Sequence, residues 1–208
     1  NKCMAIGISL IHNDVRSQIK KYNSAFVSPI DIDFAVNKAQ YDVLDRIIQE
    51  YEAGQRRSSA DQELLRLHSF SGAAEERTLP NDVHKLSAIF LADAEGDLLD
   101  DKHFNDRLNS TIIPPSVSRP IATVYNDGAA KIRILPSAST HKIKYWKVPV
   151  TAVYNFTQTD GVITYNPTGS VDVGFPMSEY SQILNRTLTY LGLPSVNADA
   201  ANLEKSIQ

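Results

Sequence analysis

The chain has 208 residues, of which 42% are hydrophobic and 22% charged, with a formal net charge of −3. That length fits one domain, or two small ones sharing a core, and it can bury a core without covalent staples. The charge balance argues against a dominant nucleic-acid or membrane surface, and a single cysteine, Cys3, rules out a disulfide framework.

No apolar run approaches the roughly 18 residues of a membrane span. The stretch Ala5 to Ile11 is apolar but short. Val15, Ile19 and Tyr22 then predict a short amphipathic helix. A longer one follows. Ser28 can cap it, Pro29 suits the first helical position, and Asp31 stands where a capping-box acid belongs. Val36, Ala39, Val43, Ile47 and Ile48 recur at helical spacing as far as Tyr51, and Gly54 is the stop. A further cap at Ser58-Ser59-Ala60-Asp61 predicts a third short helix through Leu64, Leu65 and Leu67.

From Phe70 the pattern turns extended, over 72–80 and again over 85–94, with one short helix predicted around His103 to Leu108. Pro114, Pro115 and Pro120 end any helix there. After Pro120 the signal is strongly β. Ile121 to Tyr125, Ala130 to Leu135, Lys142 to Val148, Val150 to Phe156 and Gly161 to Tyr165 read as short strands, with turns at Asn126-Asp127-Gly128, 136–140 and Asp160-Gly161. This spacing predicts an antiparallel meander or sandwich-like sheet. A last helix carries the stripe Tyr180, Ile183, Leu184, Thr187, Leu188 and Leu191, with Gly192 and Pro194 closing it. Helices first, then sheet, then a closing helix give an α+β fold. The predicted regions are helical over 1–70, mainly β over 71–175, helical over 176–194, and a tail or arm over 195–208.

Charge is unevenly spread. Residues 1–127 hold 14 basic against 19 acidic residues, a balance of −5, whereas residues 128–208 hold 7 against 5, a balance of +2. Between Gly128 and Thr159 there are five basic residues and no acidic one. Alternation puts Lys131 and Arg133 on one face of their strand, and Lys142, Lys144 and Trp146 on one face of the next. If 136–140 joins the two strands as a hairpin, the four cations share a surface that suits an acidic partner or passing DNA. The plainer reading is a solvated strand face, on which lysines block unwanted edge pairing. Arg56-Arg57 is a second candidate contact, or simply a solvated loop.

No phosphate loop, nucleophile elbow or zinc-protease motif is present. His12, His68, His84, His103 and His141 lie far apart, without the spacing of metal ligands. The acidic run from Asp93 to Asp101 resembles a calcium loop only in part, because its glycine comes too early and no glutamate closes it. The expectation is therefore a non-enzymatic chain with no catalytic residues, metal or cofactor.

The order of elements resembles a group of virion structural proteins of crAss-like and related tailed bacteriophages. The matching features are the helix from Ile32 to Tyr51, the strand opening at Pro120-Ile121, the run Lys131-Ile132-Arg133-Ile134-Leu135-Pro136, the run Ile143-Lys144-Tyr145-Trp146-Lys147-Val148-Pro149, and Phe175 leading into the last helix. Together they span roughly residues 28–192. The resemblance implies a homo-oligomeric ring in the virion neck or tail, assembled in the host cytoplasm and connecting portal to tail. Its partners would be copies of itself, the portal or other neck and tail ring proteins, and genomic DNA passing without sequence recognition, with no membrane. Two other classes compete. One is a small ligand- or carbohydrate-binding β module with an aromatic groove around Trp146. The other is an enzyme whose site assembles only in three dimensions, which would cluster perturbed titratable groups.

Overall fold

The computed structural model describes residues 5–22, 27–54, 64–138 and 140–194. The predicted helix cap at 58–61, Arg56, Arg57 and the tail at 195–208 lie outside these residues. The fold is α+β. The chain divides into two units, one of residues 1–63 and 149–208, the other of residues 64–148.

Among the described residues, the first unit is built on three α-helices. After a short strand β1 (Ala5–Ile6), helix α1 (Ile8–Lys21) starts at Gly7, which has no side chain to cap it. The Asp172 carboxylate does this instead, accepting from the Ile8 amide at 3.0 Å. Helix α2 (Pro29–Glu52) carries the predicted capping box: the Asp31 amide donates to the Ser28 hydroxyl oxygen, and the Ser28 amide donates to the Asp31 carboxylate. Such a box contributes about 1 kcal/mol. Helix α4 (Tyr180–Tyr190) packs along α2 and buries Ile183, Leu184, Thr187 and Leu188. Gly54 and Gly192 terminate α2 and α4 with φ of +69° and +67°, a conformation that glycine adopts without strain. Tyrosines at the two ends of α4 anchor it, with the Tyr180 hydroxyl donating to Asp14 of α1 and the Tyr190 hydroxyl to Asp42 of α2. Burial and the neighbouring carboxylate both push the Tyr180 hydroxyl well above the ordinary phenol range.

The predicted strand from Val150 to Phe156 forms otherwise. Residues 149–155 run extended along α2, whose side chains take the place of a strand partner. Asn37 holds both backbone groups of Ala152: its Oδ1 accepts from the Ala152 amide at 2.8 Å and its Nδ2 donates to the Ala152 carbonyl at 2.9 Å. One turn on, Gln40 Nε2 donates to the Val150 carbonyl, and one turn back, Asp33 Oδ2 accepts from the Tyr154 amide. Positions 33, 37 and 40 share one helix face, so a polar stripe reads a stretch of backbone. The opposite edge of the segment pairs with Val171 through Val153. The strand proper begins later, as β9 (Phe156–Thr159), which turns at Asp160-Gly161 into β10 (Val162–Tyr165). Strand β11 (Val173–Pro176) pairs antiparallel with β1 and leads through a short 3₁₀ turn into α4.

The second unit is a seven-stranded sheet. Its strands are β2 (Leu65–Ser69), β3 (Glu76–Thr78), β4 (Val83–Leu91), β5 (Ala94–Leu98), β6 (Ile121–Asn126), β7 (Ala130–Leu135) and β8 (His141–Lys147). They lie in the order β2-β8-β4-β5-β6-β7-β3, antiparallel except for the β5–β6 pair. Two expectations change here. Where the third helix was expected to continue, Leu65 to Ser69 form strand β2, which pairs along β8 from Leu65↔Trp146 to Ser69↔Lys142. The meander also breaks after β7. That strand already has β6 on one edge, through the tight turn at 127–129, and β3 on the other, so β8 crosses to lie between β2 and β4.

Ile89, Ala122, Ile132, Ile134, Ile143 and Tyr145 come from four strands yet form one buried cluster with Leu79. The sheet therefore curls around its own inner face, and its two edge strands, β2 and β3, are neighbours in sequence. The parallel β5–β6 pair needs a crossover, and helix α3 (Asp101–Leu108) supplies it, packing Phe104 with Ile121 and Leu135.

Each unit offers a direct test. Asn37→Ala leaves the buried backbone groups of Ala152 without partners, and an unpaired group costs about 1–3 kcal/mol. The expected result is a lower urea midpoint, and an unchanged midpoint would remove the segment's dependence on α2. In the sheet, a Cβ at Gly96 would stand 2.5 Å from the Pro120 carbonyl oxygen, closer than backbone can yield cheaply. Gly96→Ala is expected to destabilise by about 1–3 kcal/mol, as overpacking does, and full stability in calorimetry would contradict the close β5–β6 approach.

Candidate assembly surfaces

The four predicted cations do not lie on neighbouring strands. Lys131 and Arg133 lie on β7, and Lys142 and Lys144 on β8, with β6, β5 and β4 between the two strands in the sheet. The predicted pairing through 136–140 fails because both edges of β7 are occupied. Lys131 is held by Asp127 at 2.7 Å across the β6–β7 turn. Arg133 reaches Glu75 at 3.3 Å and lies 5.7 Å over the Phe104 ring. Charges that sequence reading left without partners are thus matched inside the chain. Exposed pairs of this kind contribute little to stability, but they lower the field available to an outside anion. Sequence distance hid the partner of Arg133, since Glu75 is 58 residues away, whereas Asp127 lies only one short turn before Lys131.

Trp146 shares the side of β8 that carries Lys142 and Lys144, as the alternation predicted, but it is 0% exposed. The aromatic groove that a binding module would build on it does not exist as a surface.

The acidic run from Asp93 to Asp101 is also engaged locally. It spans the β4–β5 turn, strand β5 and the start of α3. Asp100 caps α3 by accepting from the His103 amide at 2.8 Å and faces His103 Nδ1 at 2.7 Å. Asp101 accepts from the Thr123 hydroxyl, and Asp97 lies 3.8 Å from Arg107. Among the described residues, no three His, Cys, Asp or Glu side chains converge as metal ligands would. His12 is buried, stacked at 3.9 Å on Tyr154 and 2.8 Å from Asp33. Through it α1 joins the extended segment that α2 holds.

The conspicuous surfaces are apolar, and sequence reading did not single them out. Along the outer face of α2, Ile30 is 69% and Phe34 73% exposed, and Tyr41 continues the line. The spacing i, i+4, i+11 keeps the three within a narrow stripe, opposite the face that buries Ile32, Val36, Ala39 and Val43. In the second unit, the connection from α3 to β6 holds out Ile112 at 89% exposure, with Ile113 and Val117 beside it. A signal for the first was present, because Ile30, Phe34 and Tyr41 interrupt the polar side of the predicted helix.

No protein-family model matches the chain, and no curated protein matches it. No described helix is long and apolar enough to cross a membrane.

The histidines allow a check of these environments by ring-proton titration. The hydrogen bond and charge of Asp100 raise His103 above its ordinary value of 6.5, while burial lowers His141 below 6.5. The His103 midpoint should therefore lie above that of His141, and Asp100→Asn should bring His103 down. The raised imidazole steadies the α3 cap at pH values below 6.5 and loses that effect as pH rises through its folded midpoint. Asp100, lowered by the His103 amide and ring, keeps its part above 3.8 and loses it as pH falls through its own depressed midpoint. Identical His103 and His141 midpoints would contradict both environments.

Proposed function

We propose that this chain is an assembly protein: a virion subunit that forms a homo-oligomeric ring in the neck or tail of a tailed bacteriophage and connects portal to tail. The observation that carries the assembly role is the exposed apolar stripe of Ile30, Phe34 and Tyr41 on α2. Single exposed apolar residues are ordinary, but an ordered line of large ones along a helix marks a protein interface. The ring and its place in a virion rest on the resemblance in element order described above.

Several features agree with this reading. The matched charges of β7 leave apolar contact, rather than a cationic face, as the main source of affinity. Among the described residues the two-stranded β9–β10 hairpin joins no larger sheet, and such a pair is marginal alone. Contact with a neighbouring copy would support it. The partners are further copies of the chain, the portal and other ring proteins, with genomic DNA passing through the lumen.

Size-exclusion chromatography with light scattering tests the proposal. The chain should show a concentration-dependent multimer of defined mass. Phe34→Lys should leave the far-ultraviolet circular dichroism unchanged and weaken self-association about tenfold or more, as loss of an aromatic anchor does. A chain that stays monomeric at every concentration, or a Phe34→Lys variant that assembles like the parent, would count against the proposal.

A further inference from the structure

Among the described residues the β9–β10 hairpin has two open edges, and neither is guarded. Its eight strand residues, Phe156–Thr159 and Val162–Tyr165, hold no charge, no proline and no glycine, and seven of them are β-branched or aromatic. Their register runs from Val162↔Thr159 to Tyr165↔Phe156 without a bulge. Edge strands usually carry charges, prolines or bulges that stop a further strand from adding. The edges of the seven-stranded sheet follow that rule: β2 carries Arg66 and His68, and β3 is only three residues long, with Glu76 and Arg77. The one charge of the hairpin, Asp160, lies in its turn, beyond the strands.

The base of the hairpin is held by its own unit. The rings of Phe156 and Tyr165 lie 6.3 Å and 4.9 Å from that of the buried Tyr154. The Asn155 amide donates to the Ser170 hydroxyl oxygen at 3.0 Å, and Asn155 Nδ2 donates to the Thr168 carbonyl at 2.6 Å. Beyond this base, residues 157–162 are all exposed. The Asn166 amide donates to the Asn155 carbonyl, so positions 155 and 166 face each other as a hydrogen-bonded pair. Alternation then turns the backbone groups of Thr157, Thr159, Val162 and Thr164 inward, between the strands, and those of Gln158 and Ile163 outward. Among the described residues, nothing bonds to these outward amides and carbonyls. Gln158 and Ile163 are register partners, so the two edges present the same pair of groups at the same height.

An open strand edge takes another strand through main-chain hydrogen bonds. Two copies of this hairpin, side by side in one orientation, put β10 of one beside β9 of the other, antiparallel and level. Ile163 of the first then faces Gln158 of the second, each amide meets a carbonyl, and no charge has to be desolvated. We propose that the β9–β10 hairpins of neighbouring copies pair in this way, so that one sheet passes from copy to copy. The contact is head-to-tail, which generates a ring when the rotation closes and a filament when it does not, and a closed ring leaves neither edge open. The inference rests on the self-assembly reading and specifies one of its contacts. It is separate from the α2 stripe.

Amide exchange and cross-linking on the full chain test it. The outward amides of Gln158 and Ile163 should exchange freely in the dilute chain and at least tenfold more slowly in the multimer. If they are already protected in the dilute chain, another stretch of the same chain occupies the edges and the proposal falls. Cross-linking identifies the neighbour. In the level pairing Thr164 of one copy and Thr157 of the next form a non-hydrogen-bonded pair, with Cα atoms about 4.5 Å apart, within reach of a disulfide. In a Cys3→Ser background, chains bearing Thr157→Cys are mixed with chains bearing Thr164→Cys and mildly oxidised. The expected result is a linked pair of one chain of each kind, formed at least tenfold faster than with a control partner bearing Lys102→Cys. If Thr157→Cys chains, or Thr164→Cys chains, link to their own kind as fast as to the other, like edges meet and the head-to-tail pairing is overturned. If light scattering shows the multimer but the mixed link forms no faster than the control, this contact is overturned and the assembly reading stands. If neither multimer nor link is found at any concentration, both fall.

Discussion

The amide of Asn37, closed on both backbone groups of Ala152, is the constraint on which the first unit depends. An extended segment away from a sheet needs partners for its amides and carbonyls, because buried backbone groups left unpaired are costly. Here a helix supplies them, with Asp33, Asn37 and Gln40 one turn apart and three backbone positions, 154, 152 and 150, opposite them. The spacings agree: seven helical residues advance about 10 Å, and four extended residues about 13 Å. With this edge fixed, Val153 is free to pair with Val171 on the other side, and the Tyr154 ring is set against His12 and 4.9 Å from Tyr165. One polar stripe thus joins α1, α2 and the β9–β10 hairpin.

This stripe also explains which parts of the fold were legible in the sequence. Local signals carried through. The capping box at Ser28 and Asp31, the stops at Gly54 and Gly192, the short helix near His103 and the turns at Asp127 and Asp160 each depend on a few neighbouring residues. What failed depended on distant ones. Val150 to Phe156 has the composition of a strand and the backbone of one, but its partner is a helix 110 or more residues earlier. Leu65 to Ser69 reads as a continuation of helical leucines until β8, about 80 residues later, offers it an edge. The meander failed because nothing local reports that β7 is already paired on both sides.

The grouping of the four cations on paired strands failed for a related reason. A run of cations without acids looks like an unmatched field along the chain, yet Arg133 finds Glu75 and Lys131 finds Asp127 in the fold. The acidic run was taken up in the same way by the α3 cap and by Thr123. Apolar exposure is the reverse case. Ile30, Phe34 and Ile112 attracted no notice as sequence, because isolated apolar residues are common on surfaces. Their alignment on a helix, or at the tip of a proline-braced loop, gives them meaning. The charged features are therefore taken up within each unit, and the exposed apolar ones are left for its proposed association.

The central claim is that these apolar surfaces are buried between copies of the chain in a particle. Imaging an assembled tailed virion that contains this chain, at a resolution that traces side chains, tests it most directly. The account predicts a closed ring of copies between portal and tail, with Phe34 and Ile112 both covered by neighbouring protein. A particle that lacks the chain at that position, or a ring in which both residues face solvent, would contradict it.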